Sequence, residues 1–297
     1  MDNLESPDES GFHKGRKIMN YLITGTDTGV GKTLISCALL HGFAAQGKRV
    51  VGMKPVAAGC ADDSQHEDVR QLRAASNVLA SGGQINPYCF AQAVAPHLAA
   101  RFVGIRINFA RIVESFSELN AQADVVIVEG VGGFRVPLND EQDSADLAVQ
   151  LGLPVILVVG MRLGCLNHAL LTAEAIAARG LTLAGWVANV PEEDGTTRRC
   201  EASGAGVPSD RLLPQTAGYA ITSDLASVVG SPSRMASSFT SNVSKAGMAM
   251  LKENIAALQQ RIHAPLLGIV PYLEQPDARE AASFLNLTLL EQMDVHD

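Results

Sequence analysis

The chain lacks the marks of several large protein classes. No Cys-x-x-Cys pair occurs among its five cysteines, Cys37, Cys60, Cys89, Cys165 and Cys200, and none of its seven histidines pairs with a cysteine at zinc-site spacing. No structural metal is expected, and scattered cysteines of odd number read as free thiols in a reducing compartment. Basic residues are in deficit, 23 Lys plus Arg against 31 Asp plus Glu, and the net charge of −8 argues against a nucleic-acid partner. Apolar runs such as 153–160 fall far short of the ~20 residues that span a bilayer, and no basic-then-apolar leader opens the chain. The expectation is a cytoplasmic enzyme with no membrane or nucleic-acid contact. Neither His97, after Ala95-Pro96, nor His168, beside Asn167, has an evident acid–base partner, so both read as structural. No internal repeat is present.

What is there is concentrated in residues 21–33, where Tyr21-Leu-Ile-Thr breaks into Gly25-Thr-Asp-Thr-Gly-Val and then Gly31-Lys32-Thr33. This reads as a strand, a phosphate loop and a helix start. Such a loop wraps its backbone N–H groups around a polyphosphate, and the helix that follows aims its positive end at the same charge. Thr28, Gly29, Val30 and Gly31 form the arc, Lys32 neutralises the β- and γ-phosphates, the Thr33 hydroxyl ligates Mg²⁺, and Leu34 opens an apolar-periodic helix over 34–45. Five residues separate Gly25 from Gly31 where the usual loop has four, which makes this a deviant of its class. The plainer reading is a glycine-rich turn between a strand and a helix.

Residues 1–17 mix Ser, Pro, Gly and charge without apolar period and read as a disordered tail. Residues 18–297 read as a single α/β domain. A second strand, Arg49-Val-Val-Gly-Met-Lys-Pro55, follows one helix after the first, which implies parallel pairing. Helical period recurs over 64–79 and 109–123, with turn signals at Asn86-Pro-Tyr and Ala95-Pro-His. Buried strands are expected over 124–129, 154–160 and 182–189, separated by helical segments at 145–151 and 166–178. This alternation predicts a doubly wound, mostly parallel sheet of the phosphate-loop NTPase kind. Ten serines between Ser203 and Ser244, amid Gly, Ala, Thr and Pro, mark 191–245 as a loop-like or disordered insertion, with a small helical subdomain as the alternative. An amphipathic helix over 246–262, a strand over 265–270 and a turn at Pro271-Tyr272-Leu273 complete the pattern.

Open α/β sheets bind ligands beyond the carboxyl ends of their strands, and here those ends carry Lys54, Glu129, Gly160 and Asn189. Glu129, before Gly130-Val131-Gly132-Gly133, is placed to hold Mg²⁺, while its plainer role is a capping carboxylate at a tight turn. Lys54, where an apolar strand gives out, is placed to stabilise charge on a transferring phosphoryl group, or else is a snorkelling surface lysine. Asp68 is a weaker candidate, since Glu67 beside it is equally plausible and helix starts favour acids.

Taken together, Thr24-Gly-Thr-Asp-Thr-Gly-Val-Gly-Lys-Thr33, Lys54-Pro-Val-Ala, Asn86-Pro-Tyr, Val128-Glu-Gly-Val-Gly-Gly133, Leu163-Gly-Cys-Leu-Asn-His168, Gly185-Trp-Val-Ala-Asn189 and Pro265-Leu-Leu-Gly resemble the dethiobiotin synthetases. That family's longer phosphate loop accounts for the five-residue spacing. The resemblance covers about 20–190 and 247–290. It implies ATP- and Mg²⁺-dependent ring closure of 7,8-diaminononanoate with CO₂, through a carbamate and its phosphoric anhydride, in biotin biosynthesis. Lys54 and Lys32 match its catalytic lysines, and Thr33, Asp68 and Glu129 its metal ligands. Asn189, Pro271, Tyr272 and Leu273 match residues around the adenine, with Asp277 at the ribose or base edge. The family is homodimeric, and Asn167 would reach the substrate from the neighbouring subunit. Ala58 stands where a substrate-binding Ser or Thr occurs, Gly29 where some members carry an acid, and Asn254 where a Tyr occurs; the insertion after Asn189 has no counterpart.

Two rivals share the loop. A deviant phosphate-loop switch ATPase, dimerising on membranes or DNA, needs a lysine at the Asp27 position and usually a basic amphipathic tail, whereas this chain ends Glu291-Gln-Met-Asp-Val-His-Asp297. The amidating ligases of corrin synthesis need a further glutamine-hydrolysing domain for which no length remains.

Overall fold

The computed structural model describes residues 19–60, 66–191 and 245–291. The expected tail over 1–17, nearly all of the expected insertion and Cys200 lie outside these residues. In chain order, β1 (Tyr21–Gly25), α1 (Lys32–Ala45), β2 (Val50–Met53), β3 (Val56–Ala58), α2 (Glu67–Ala75), α3 (Gly82–Ile85), β4 (Tyr88–Phe90), α4 (Pro96–Phe102) and α5 (Phe109–Gln122) come first. They are followed by β5 (Val125–Glu129), α6 (Ser144–Leu151), β6 (Val155–Gly160), α7 (Cys165–Ala178), β7 (Leu183–Asn189), α8 (Lys245–Gln259), β8 (Leu266–Val270), α9 (Ala278–Ala282) and α10 (Thr288–Glu291).

Six strands form one parallel sheet in the order β2-β5-β1-β6-β7-β8, the doubly wound arrangement expected from the alternation. β1 lies between β5 and β6, so the chain leaves it toward one edge and later returns to build the other. That reversal opens a crevice above the carboxyl ends of β1 and its neighbours, where ligands of such sheets bind.

Strand residues alternate between two buried faces because successive side chains point oppositely. Tyr21, Ile23, Val125 and Ile127 pack with Ile35, Leu39 and Phe43 of α1 and with Ala281 and Phe284. Leu22, Val126 and Val128 pack instead with Ile112, Phe116 and Leu119 of α5 and with Ala145 and Ala148 of α6. Toward the β8 edge, Leu157 and Trp186 pack on Ala169 of α7 and on Ile255 and Leu258 of α8. α1 is therefore sandwiched between the sheet and the α9 region, which fixes the helix that begins at the phosphate loop.

Two segments read as turns contain elements. Asn86-Pro-Tyr leads into β4, which pairs in parallel with β3, and Pro96 opens α4 at the one helical turn where a missing N–H costs nothing. Elements of three and seven residues are too short for periodicity to register. The thiol expectation needs correction: Cys60 and Cys89 are joined as a disulfide, with Cα atoms 6.3 Å apart, because β3 and β4 pair side by side and bring the two together. Cys37 and Cys165 are free, as expected, and both are buried.

Candidate active site at the carboxyl edge of the sheet

The loop that opens α1 is built by steric necessity as much as by charge. Gly31 is the N-cap of α1 with φ +90, a conformation that side chains other than glycine rarely adopt. A Cβ at Gly31 would meet Asn189 Nδ2 at 2.2 Å, so β7 approaches the loop closely. Asn189 is 3% exposed and donates from Nδ2 to the Val30 carbonyl at 2.8 Å. No side chain caps the first turn of α1, which leaves its N–H groups facing the crevice.

Lys54 stands at the centre of the site. Its backbone is pinned at both ends, by Lys54 N to Ile85 O at 2.8 Å and by Asn86 Nδ2 to Lys54 O at 2.6 Å. The side chain, 4% exposed, points its Nζ at Glu129 Oε1 (2.6 Å), Asp68 Oδ2 (2.9 Å) and the Gly130 carbonyl (3.1 Å). Burial by itself would push this ammonium down, but the charges and hydrogen bonds of Glu129 and Asp68 hold it above its ordinary value. Asp68 is likewise opposed by burial, yet the Lys54 ammonium holds its carboxyl below the usual range. Lys54 is thus buried rather than snorkelling to solvent, and of the two adjacent acids Asp68 is the one brought to it. Glu67 is exposed and faces Arg70 and Gln71.

Lys32 lies beside this cluster and donates to the Asp27 carbonyl at 2.9 Å. Burial first, then repulsion from Lys54, pushes its pKa down to about 8, against the opposing pull of Glu129, Asp68 and Asp27. Thr33 Oγ1 donates to Glu129 Oε1 at 2.9 Å, so the loop, β2 and β5 converge on one carboxylate. Glu129 Oε2 is buried with no hydrogen-bond partner among the described residues. Thr33, Asp68 and Glu129 therefore offer only hard oxygen donors, one of them orphaned, around a lysine cation. This donor chemistry fits Mg²⁺, which takes one or two carboxylates, keeps several waters and shares phosphate oxygens. Among the described residues no three His, Cys, Asp or Glu side chains form a complete metal cage.

A cleft of about 240 Å³ lies on the other side of the loop, lined by Gly29, Gly31, Leu34, Asn189, Pro271, Tyr272 and Leu273. Sequence reasoning missed Val190, Pro191, Glu274 and Pro276, which also line it. Their only signal was adjacency to Asn189 and to the Pro-Tyr-Leu turn. Asp277 is engaged elsewhere, accepting from Arg279 N at 2.7 Å as the N-cap of α9. Ala58 is half-buried at the end of β3, Asn254 is half-buried on α8, and Asn167 is exposed in the first turn of α7. Gly130 N donates to Ile23 O at 2.9 Å, and Gly132, at φ +62, lies close enough to the phosphate loop that a Cβ there would be 3.7 Å from Thr28 Oγ1. His66, unnoticed in the sequence, caps α2 by accepting from Asp68 N at 3.2 Å and so fixes the turn that presents Asp68.

Fold and cluster together define a phosphate-loop α/β nucleotide-binding protein. A family model described as an AAA domain matches residues 19–280. The chain is 47% identical to the ATP-dependent dethiobiotin synthetase of Aromatoleum aromaticum over 90% of this chain and 96% of that one. It is 46% identical to that of Nitrosospira multiformis, over 90% and 94%. The chain belongs to the dethiobiotin synthetase family. Among solved structures, the septum site-determining protein MinD of Pyrococcus horikoshii, complexed with Mg-ADP, is similar at TM-score 0.42 and 16% identity. That likeness covers 94% of this chain and 96% of that one and is too distant to carry a functional reading.

Proposed function

We propose that this cluster carries out the ATP-dependent cyclisation that the relatives' name describes, converting 7,8-diaminononanoate and CO₂ to dethiobiotin. The observation that carries the reading is the convergence of Lys54, Glu129, Asp68 and Thr33 beside Lys32 at the carboxyl edge of the sheet. One amine of the substrate adds to CO₂ and releases a proton to give a carbamate. A carbamate oxygen then displaces ADP from the γ-phosphorus, and the second amine attacks the carbonyl carbon and expels phosphate as the cyclic urea closes. An anionic nucleophile needs no general base for the phosphoryl step, in keeping with a site built without histidine at its centre.

Lys32 and the α1 N-terminus hold the β- and γ-phosphates, and the Lys54 ammonium stabilises charge as it spreads over the transferring phosphoryl oxygens. Thr33, Asp68 and Glu129 hold Mg²⁺, which when bound screens the repulsion between the carbamate and the γ-phosphate. Thr28, Gly29, Val30, Gly31 and Leu34 line the phosphate and ribose side, and Gly130, Val131 and Gly132 border the same rim. The adenine enters the cleft of Asn189, Pro271, Tyr272 and Leu273. Asp277 reaches the base edge only if it gives up its cap of α9. The substrate's chain runs past Ala58, where a hydroxyl contact worth ~1 kcal/mol is missing, to Asn167 of a second copy in a homodimer.

Residues 18–297 act as a single domain in the cytoplasm. The Cys60–Cys89 bridge removes the cysteine argument for that compartment, so the assignment rests on the need for an ATP pool. No helix among the described residues is long and apolar enough to cross a membrane. The test is a purified-protein assay with ATP, Mg²⁺, bicarbonate and the diamine, followed for ADP and the cyclic urea. ADP release should require both diamine and bicarbonate. Release that ignores the diamine would overturn the proposal in favour of a switch ATPase.

A further inference from the structure

The phosphate loop contains one carboxylate of its own, Asp27, exposed at the rim where a triphosphate must sit. Its placement is determined at three atoms. Asp27 Oδ1 accepts from Thr28 N at 2.7 Å, its main-chain oxygen accepts from Lys32 Nζ at 2.9 Å, and its Oδ2 accepts from Arg162 Nη2 at 2.5 Å. Arg162 lies 135 positions away in sequence, two residues past the end of β6. Its root is rigid: Arg162 N donates to Gly160 O at 2.9 Å, and Cys165 N donates to Arg162 O at 3.0 Å. The same stretch is tied to the loop by Thr26 N to Val158 O at 3.0 Å and Gly160 N to Thr26 Oγ1 at 3.3 Å. The carboxyl end of β6 thus serves as a buttress for the phosphate loop.

We propose that Arg162 is a positioning residue for nucleotide binding, which neutralises the Asp27 carboxylate so that an acid is tolerated inside a loop that must receive a polyanion. An unpaired carboxylate there would repel the phosphates, and like-charge juxtaposition is a strong source of lost affinity. The guanidinium offers several N–H donors from a planar head, which suits it to hold Asp27 at a fixed angle. Arg162 acts through Asp27 and the loop, without touching the reacting atoms. This inference rests on the reading of residues 25–33 as the nucleotide's phosphate site.

The test is Mg-ADP binding by calorimetry to full-length wild type, Arg162→Ala, Arg162→Lys, Asp27→Asn and the double variant Asp27→Asn/Arg162→Ala. Asparagine retains the Oδ1 acceptor for Thr28 N while removing the charge. Arg162→Ala should weaken binding about tenfold and Arg162→Lys by about twofold or less, while the double variant recovers most of the loss, with the gap narrowing at high salt. In turnover, the KM for ATP should rise far more than kcat falls. Arg162→Ala binding as tightly as wild type, or a double variant as weak as Arg162→Ala, overturns the proposal. Wild type that binds no nucleotide overturns the phosphate-site reading itself, a result distinct from either. Should Arg162→Ala lose its near-UV dichroism, Arg162→Gln is judged by the same criteria.

Discussion

An ammonium with two carboxylate oxygens at 2.6 and 2.9 Å and little access to water is difficult to replace without consequence. Removing one partner of a buried ion pair typically costs ~3–5 kcal/mol, because the other charge remains desolvated. Lys54→Met leaves Glu129 and Asp68 without their resident cation, in a pocket of hard oxygen donors. The variant is therefore expected to melt lower than wild type without metal and to recover on adding Mg²⁺. It should bind Mn²⁺ in the absence of nucleotide at least about tenfold more tightly than wild type, while forming no product. Paramagnetic resonance of free Mn²⁺ reads the difference directly. Equal Mn²⁺ affinity in the two proteins would mean that the Lys54 ammonium does not weaken the hold of Asp68 and Glu129 on a metal ion. Lys32→Ala, by contrast, should damage both nucleotide binding and turnover, since that lysine is bonded within the loop.

The phosphate loop is held from β7 as well as from β6. Gly31→Ala would place a methyl group against Asn189 Nδ2 and force an alanine to φ near +90, so the Asn189–Val30 bond must break. A loss of ~1–3 kcal/mol in stability is expected with the sheet intact, together with a severe loss of ATP affinity. Unaltered ATP affinity in this variant would show that the loop tolerates another path.

α6 supplies a pH-dependent case. Asp143 and Asp146 form a capping box, and Arg179, following α7, pairs with Asp146. The Asp143 backbone N–H first, then Arg179, hold the Asp146 carboxyl below its ordinary 3.8. A depressed acid stabilises the fold above its unfolded pKa and loses that contribution as pH falls through the folded value. Asp146→Asn should thus lower Tm by about 1–3 °C at neutral pH, and the gap should close as pH drops below about 3.8. A gap that persists unchanged at lower pH would rule out the carboxylate charge as its source.

For the whole molecule, the decisive question is whether one substrate site draws on two copies. Lys54→Ala and Asn167→Ala proteins, each inactive alone, should regain about a quarter of wild-type activity after mixing and subunit exchange. Half the dimers are then heterodimers, each with one intact site of two. No recovery despite demonstrated exchange would place Asn167 and Lys54 in the same subunit's site, or Asn167 outside it. The parallel architecture, the phosphate loop and the placement of Lys54, Glu129 and Asn189 at strand ends were legible because local chemistry fixes them. Uninterrupted Val/Ile/Leu runs force two-sided burial, and glycine is required wherever the loop crowds β7 at Gly31. Adjacent residues with equal local credentials were not separable in this way. Asp68 rather than Glu67 faces Lys54 because His66 sets the first turn of α2, and that angle is a property of packing. Nor does spacing reveal that Cys60 meets Cys89 or that Arg162 meets Asp27, since each contact exists only once distant strands pair or lie side by side. Interactions within a few residues follow from side-chain chemistry and backbone preference, whereas those across the sheet depend on strand order and register, which no single segment contains.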